Sequence, residues 1–329
     1  MVKSYIFFII VFFGFLTSCG VMENLFFDAK VPGFPLPQDV SAFKSKAIEY
    51  RQRLMTEFLE NGYVVSKREG KPHHRGDSVL WTMIAAASSP CGVAKRLMEP
   101  VFQSLMASDG LLKRIEPLDP DSETDPTSRD METGFIFGIT SYYIKCPEER
   151  SRIEDVWFAH VSYVQHYKKL AKIGVDSKTR LSPAILTSMR YLNYLILEPQ
   201  KGSTIFHQFY NDIANALGNS FLGGTGVSCY PYHLSTLLNI SSSAIGYGAS
   251  NTNRDLLCRA TKGKGLVLTD WYCNRENPIE YLKDFQPNVW EYRWQRCQNE
   301  SPDSAGAQTP AVDFLILYAA LGGFLYAQE

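Results

Sequence analysis

Through most of its length the chain repeats apolar positions with the period of an α-helix. Ile48, Met55 and Leu59 fall on one face, at intervals of seven and four, and Val79, Met83 and Ala87 repeat the spacing after Gly76. Met131, Phe135, Gly138 and Tyr142 do so again, followed by Ile153, Trp157, Val161 and Val164. Ser182-Pro183 opens another helix with an N-cap residue and a proline at the first helical position, and Ile185, Met189, Leu192 and Ile196 mark its apolar stripe. Further helices are expected over 204–218, 232–246 and 251–261, with a last one from Thr309-Pro310. Phe314 to Ala327 is apolar nearly all round, and its fourteen residues after Asp313 predict a central buried helix rather than a membrane span. Strand signals are few, Gly265 to Thr269 being the best.

About ten or eleven helices follow one another, joined by loops rich in Gly, Pro, Asn and Asp. No low-complexity linker or fixed-period repeat divides residues 41–329. One all-α domain of stacked hairpins is the economical reading. An α/α toroid of five or six hairpins and an irregular helical bundle both satisfy it.

The first forty residues break this pattern. Residues 1–18 place Lys3 before an uncharged run from Tyr5 to Leu16, which is shorter than the about twenty residues of a membrane span and has the build of a secretory signal. The run ends in Leu16-Thr17-Ser18-Cys19-Gly20, which resembles the bacterial lipobox. That resemblance implies cleavage before Cys19 and acylation of its thiol, leaving a chain held stably at a membrane by several acyl groups. Gly20 rather than aspartate after the cysteine implies the outer membrane of a diderm cell envelope. Residues 19–40, with three prolines and little period, read as a tether.

Charge and cysteine usage agree with that address. The chain carries 33 basic and 34 acidic residues, a net of −1, so no overall basicity points to nucleic acid as a partner. Beyond Cys19 there are six cysteines, Cys91, Cys146, Cys229, Cys258, Cys273 and Cys297, and an even number in an oxidising compartment predicts at least one disulfide. No C-x-x-C or H-E-x-x-H is present. His160 and His166 are six apart rather than four, so no zinc or other metal set is assigned. Asp119, Asp121, Glu123 and Asp125 alternate as in a calcium loop, but Thr124 stands where the turn glycine belongs and Asp130 where a bidentate glutamate belongs. A solvated acidic loop is the better account. Gly223 to Gly226 lacks the G-K-[ST] of a phosphate cradle, and no G-x-S-x-G occurs, so no cofactor is implied.

Acids gather where helices begin. Gly76-Asp77-Ser78 opens the helix bearing Trp81, and Ser128-Arg129-Asp130-Met131-Glu132 opens the helix bearing Phe135. Asp313 precedes the last apolar run, with Arg129 its candidate partner. Capping by Thr127 or Ser128 and complementarity to the helix dipole account for such acids in general. If these helix starts meet at one rim, they also supply the two carboxyl groups of glycoside hydrolysis: Asp77 and Asp130 as acid and base, with Arg129 positioning one of them. Trp290, Arg293 and Trp294 form an aromatic and cationic run that suits the apolar faces of sugars and equally an ordinary surface where arginine stacks on tryptophan, the more economical account. On the carbohydrate reading Trp81 and Asp313 complete the expected binding residues.

On G-D-S, S-R-D-M, the cap-led helices and the aromatic content, the chain resembles the six-hairpin α/α-toroid enzymes that act on polysaccharides. The resemblance covers 41–329 in helix count. It implies a glycoside hydrolase or polysaccharide lyase acting on a polysaccharide or on peptidoglycan. No motif of that family matches closely enough to transfer a catalytic residue, so the roles above come from the residues themselves. The alternative is a non-catalytic envelope lipoprotein that binds a glycan or protein partner.

Overall fold

A computed structural model describes residues 40–68, 71–73, 77–114, 127–167, 181 and 183–197. It also describes shorter pieces at 236–241, 257–259, 261–262, 269, 273, 307–308, 315–316 and 318–319. These are mostly helical: α1 (Val40–Glu57), α2 (Ser78–Ala87), α3 (Cys91–Met106), α4 (Arg129–Lys145), α5 (Arg150–Tyr167) and α6 (Pro183–Leu197), with a 3-10 turn Pro147–Glu149 between α4 and α5. No described helix is long and apolar enough to cross a membrane.

Two hairpins organise the described helices. Every residue of α2 is buried, and so is nearly all of α4. α3 buries one stripe (Ala94, Leu97, Met98, Val101, Phe102, Leu105), and α5 buries Ile153, Val156, Trp157, Val161 and Val164. The inner helices α2 and α4 run parallel. Leu80 lies against Gly134, Met83 against Gly138, and the Ser141 hydroxyl donates to the Ala87 carbonyl, so both numberings rise together. A Cβ on Gly134 would sit 2.6 Å from the Leu80 Cα, and one on Gly138 2.6 Å from the Met83 Cε. The two glycines, one turn apart, are what lets the backbones approach; each costs about 1 kcal/mol of helix propensity relative to alanine. The outer helices α3 and α5 are also parallel to each other, with Glu99 paired to Arg152 and Gly110 packed on Ala159.

The predicted stripes of α2, α4, α5 and α6 are buried as expected. The α1 stripe was misplaced by one residue. Ala47, Tyr50, Leu54 and Phe58 face the core, whereas Ile48 and Met55 are half-buried and Leu59 is exposed. The Tyr50 ring is apolar enough to hold the inner face, and it sets the register one residue from the expected stripe. Of the expected strand 265–269 only Thr269 is described, and it is helical. Leu315, Ile316, Tyr318 and Ala319 of the final apolar stretch lie in the same core cluster as the hairpins.

Strands occur where none was expected. β1 (Leu59–Glu60) pairs antiparallel with β2 (Tyr63–Val64) across Asn61-Gly62, both with positive φ, the two-residue turn that such hairpins favour. Val64 N–H donates to the Thr82 hydroxyl at 2.8 Å, which fixes the hairpin on α2. β3 (Ser66–Arg68) then pairs with β4 (Lys71–His73) and, on its other edge, with β5 (Ala307–Gln308).

Among the described residues two disulfides are present, Cys91–Cys146 and Cys258–Cys273, where at least one was expected. The first joins the start of α3 to the end of α4 and closes a 55-residue separation, for a stabilisation of about 4 kcal/mol. Cys229 and Cys297 lie outside the described residues.

Candidate functional site

The parallel arrangement of α2 and α4 puts both of their first turns at one end. Asp77 occupies the position before α2, half-buried, and its side chain does not cap that helix. α4 is capped by Ser128, whose hydroxyl accepts the Met131 N–H at 3.3 Å. The cap leaves Asp130 and Glu132 in the first turn, where carboxylates complement the helix dipole. Asp130 is 4% exposed and Arg129, beside it, is exposed. Positions two apart on a helix project to different sides, so Asp130 and Glu132 do not face one another.

Glu132 points instead to α5. Its Oε2 lies 2.9 Å from His160 Nε2, and His160 Nδ1 lies 2.9 Å from the Gly110 carbonyl, all three groups being buried. A carbonyl only accepts, so Nδ1 carries a hydrogen and Nε2 is the nitrogen that meets the carboxylate. Burial pushes the ring toward its neutral form; the Glu132 charge, its hydrogen bond and the Gly110 carbonyl outweigh it, so His160 binds its proton more tightly than an ordinary histidine. Gly110 has φ +96°, and a Cβ there would lie 2.3 Å from the Ala159 carbonyl oxygen, so only glycine brings this carbonyl to the ring. Phe135 meets the His160 ring edge-on at 5.0 Å and stacks on Trp157 at 6.2 Å.

Several buried polar atoms at this end, Ser78 Oγ, Glu132 Oε1 and Thr133 Oγ1, have no hydrogen-bond partner among the described residues. Such atoms carry a desolvation cost of about 1–3 kcal/mol each, and ligand sites are one place where proteins retain them.

The opposite end of the same helix pair is finished differently. The Lys145 ammonium donates to the carbonyls of Ala86 (2.7 Å), Ala87 (2.9 Å) and Ser89, and Arg51 donates to Ser88 O at 3.1 Å. Ser88 and Ser89 hydroxyls take the Ala85 carbonyl. Burial, with the Arg51 charge behind it, pulls Lys145 down to about 7. Cys91, Cys146 and Glu148 have ligand atoms within 4.8 Å of one another, but the two sulfurs are bonded together and so do not act as metal ligands.

Of the residues expected at a site, the fold brings Asp77, Asp130 and Arg129 to one end. Trp81, expected on a ligand face, is 1% exposed and belongs to the hydrophobic core. Asp313, Trp290, Arg293, Trp294, Cys19 and the acidic loop 119–125 lie outside the described residues, and with them the expected Arg129–Asp313 pair. His160 and Lys145 were missed. Both sit on apolar stripes, His160 three residues after Trp157 and Lys145 three after Tyr142, and a titratable residue in such a register is the signal that would have found them.

Compared with protein-family models, with curated proteins and with solved structures, the chain matches none.

Proposed function

We propose that this chain is an envelope lipoprotein, anchored through acylated Cys19 at the outer membrane of a bacterial cell, whose helical domain acts on a polysaccharide or on peptidoglycan. Its hairpins continue as an α/α toroid of five or six, and the starts of the inner helices form the working rim. Asp77 and Asp130 serve as acid and base of a glycoside hydrolase-like reaction: one protonates the leaving oxygen, the other takes a proton from the attacking water. Arg129 positions the ionised partner, and Trp290, Trp294, Arg293 and Asp313 contribute to binding. No cofactor or metal is required, and nucleic acid is not a partner.

The observation that carries this reading is the parallel packing of α2 on α4, which starts the helices of Asp77 and Asp130 at the same end. The burial of Asp130 favours a second reading, a non-catalytic lipoprotein that binds a glycan or protein through the same end.

The test uses the full-length chain in detergent micelles, incubated with peptidoglycan and a panel of glycans, with release of reducing ends and plain binding both measured. Turnover that Asp77→Asn and Asp130→Asn each abolish, at an unchanged melt, supports the hydrolase. Binding without turnover supports the second reading, and neither binding nor turnover sinks both.

A further inference from the structure

We propose that the β3–β4 hairpin is the recognition edge for a polyanionic glycan, bearing carboxylate or sulfate groups, that the neighbouring helix starts act on. The inference rests on the carbohydrate reading above and narrows its substrate class.

The sequence supplies the charge. From Ser66 to Arg75 the chain reads Ser-Lys-Arg-Glu-Gly-Lys-Pro-His-His-Arg, four cations and two histidines against one acid. The whole chain has a net charge of −1, so this local excess is not part of a general basicity.

The ladder supplies the geometry. Arg68 stands opposite Lys71 and Ser66 opposite His73, in the antiparallel register. Like charges directly opposite one another weaken a strand pair, and an anion held across them removes the repulsion. Among the described residues β4 is an edge strand of the three-stranded sheet, paired with β3 alone, while β3 is anchored on its other side by β5. Lys67 occupies the alternate register, with its ammonium 5.6 Å from the Phe58 ring centroid, which ties the hairpin to the helical body.

Placement links the hairpin to the acids. His73 precedes Asp77 by four residues, so no more than about 14 Å of chain separates the hairpin from the start of α2. A single hairpin is a small footprint. It suits a polymer charged on individual sugars better than duplex nucleic acid, whose charge density calls for a broad basic face.

The test titrates the full-length chain in detergent micelles with oligogalacturonate, with dextran sulfate oligomers and with uncharged dextran, by calorimetry at two salt concentrations. At least one anionic glycan should bind, more weakly at high salt, and uncharged dextran should not; which anion binds tighter identifies the group recognised. Arg68→Gln with Lys71→Gln should weaken binding about tenfold, and Arg68→Glu with Lys71→Glu further, both with the wild-type melt. Lys95→Gln, at the far end of the inner helices, should leave it unchanged. If charge reversal perturbs folding, the glutamine pair decides. The proposal is overturned if neither anionic glycan binds, if uncharged dextran binds as well, if the hairpin variants bind like wild type, or if a DNA duplex outcompetes both glycans. Asp77→Asn and Asp130→Asn should bind normally, so anion binding without turnover sinks the hydrolase and leaves the hairpin's role standing.

Discussion

The two ends of the α2–α4 pair solve one problem in opposite ways. Parallel helices in contact bring like dipole ends together, which is unfavourable at both ends unless charge is supplied. At the carboxyl end the supply is cationic and complete. Lys145 and Arg51 reach the last carbonyls, serine hydroxyls take another, and the Cys91–Cys146 bond holds the junction. At the amino end the supply is acidic and incomplete. Asp77 does not cap its helix, Glu132 uses one oxygen on His160, and buried hydroxyls go without partners among the described residues. The first end has the economy of a stability element; the second retains polar groups that packing alone would discard.

The largest effect is expected at the closed end. Lys145→Met fills the same volume, removes the donor to Ser89 O and takes one of two donors from Ala86 and Ala87, for a loss of about 3–4 kcal/mol. The loss should depend on pH. Lys145 lies near 7 in the folded chain and 10.5 when unfolded, so between these values the unfolded chain binds more protons and stability rises with pH. Wild type should gain on the variant by about 1 kcal/mol or more between pH 7 and 9.5 in urea titrations. Tyr142, pushed up by burial, titrates above this window and does not obscure it. An equal pH slope in the two proteins would show that the amine is not the capping group.

At the amino end the sign reverses. His160 is raised above its unfolded value of 6.5, so its contribution is full below 6.5 and disappears as pH rises through the folded value. His160→Gln keeps one amide donor for Glu132 but no positive charge, and should cost about 2–3 kcal/mol at pH 5.5 and less at pH 8.5. Replacing both partners, Glu132→Met with His160→Leu, should recover much of that loss, because the bare carboxylate goes with the imidazole. A single-variant penalty independent of pH would mean that the pair is held as neutral groups. The two ends are thus distinguishable by pH alone: one strengthens toward alkali, the other toward acid.

The sequence made the helices legible because apolar stripes with period 3.6 recur at 79–87, 131–142, 153–164 and 185–196, and burial follows them. It also made legible the Ser128 cap and the presence of disulfides. The β1–β2 hairpin was not expected: Asn61-Gly62 is a strong turn signal, but the strands it joins are two residues long and carry no alternation. What could not be read was which groups meet. The Lys145 cap joins residues more than fifty positions apart, and Glu132 meets His160 twenty-eight positions on, so neither leaves a local pattern. Gly138 could be placed on the apolar stripe of its helix, but not that it and Gly134 set the parallel packing that brings Asp77 and Asp130 to one end.

The smallest effect should come from those two acids, and that smallness is informative. If Asp77 and Asp130 serve mainly to offset the paired dipoles, replacing either by asparagine removes one favourable charge–dipole interaction, worth about 0.3–1 kcal/mol, and added salt should shrink the difference. Asp77 does not cap α2, so Asp77→Asn should fall at the low end of that range. Asp130 is almost wholly buried and should fall at the high end. A loss of 3 kcal/mol or more in either variant would make the residue a brace like Lys145 and erase the contrast between the ends. A loss under 1 kcal/mol leaves folding almost indifferent to the carboxylates, so their placement at the shared helix start needs a reason other than stability.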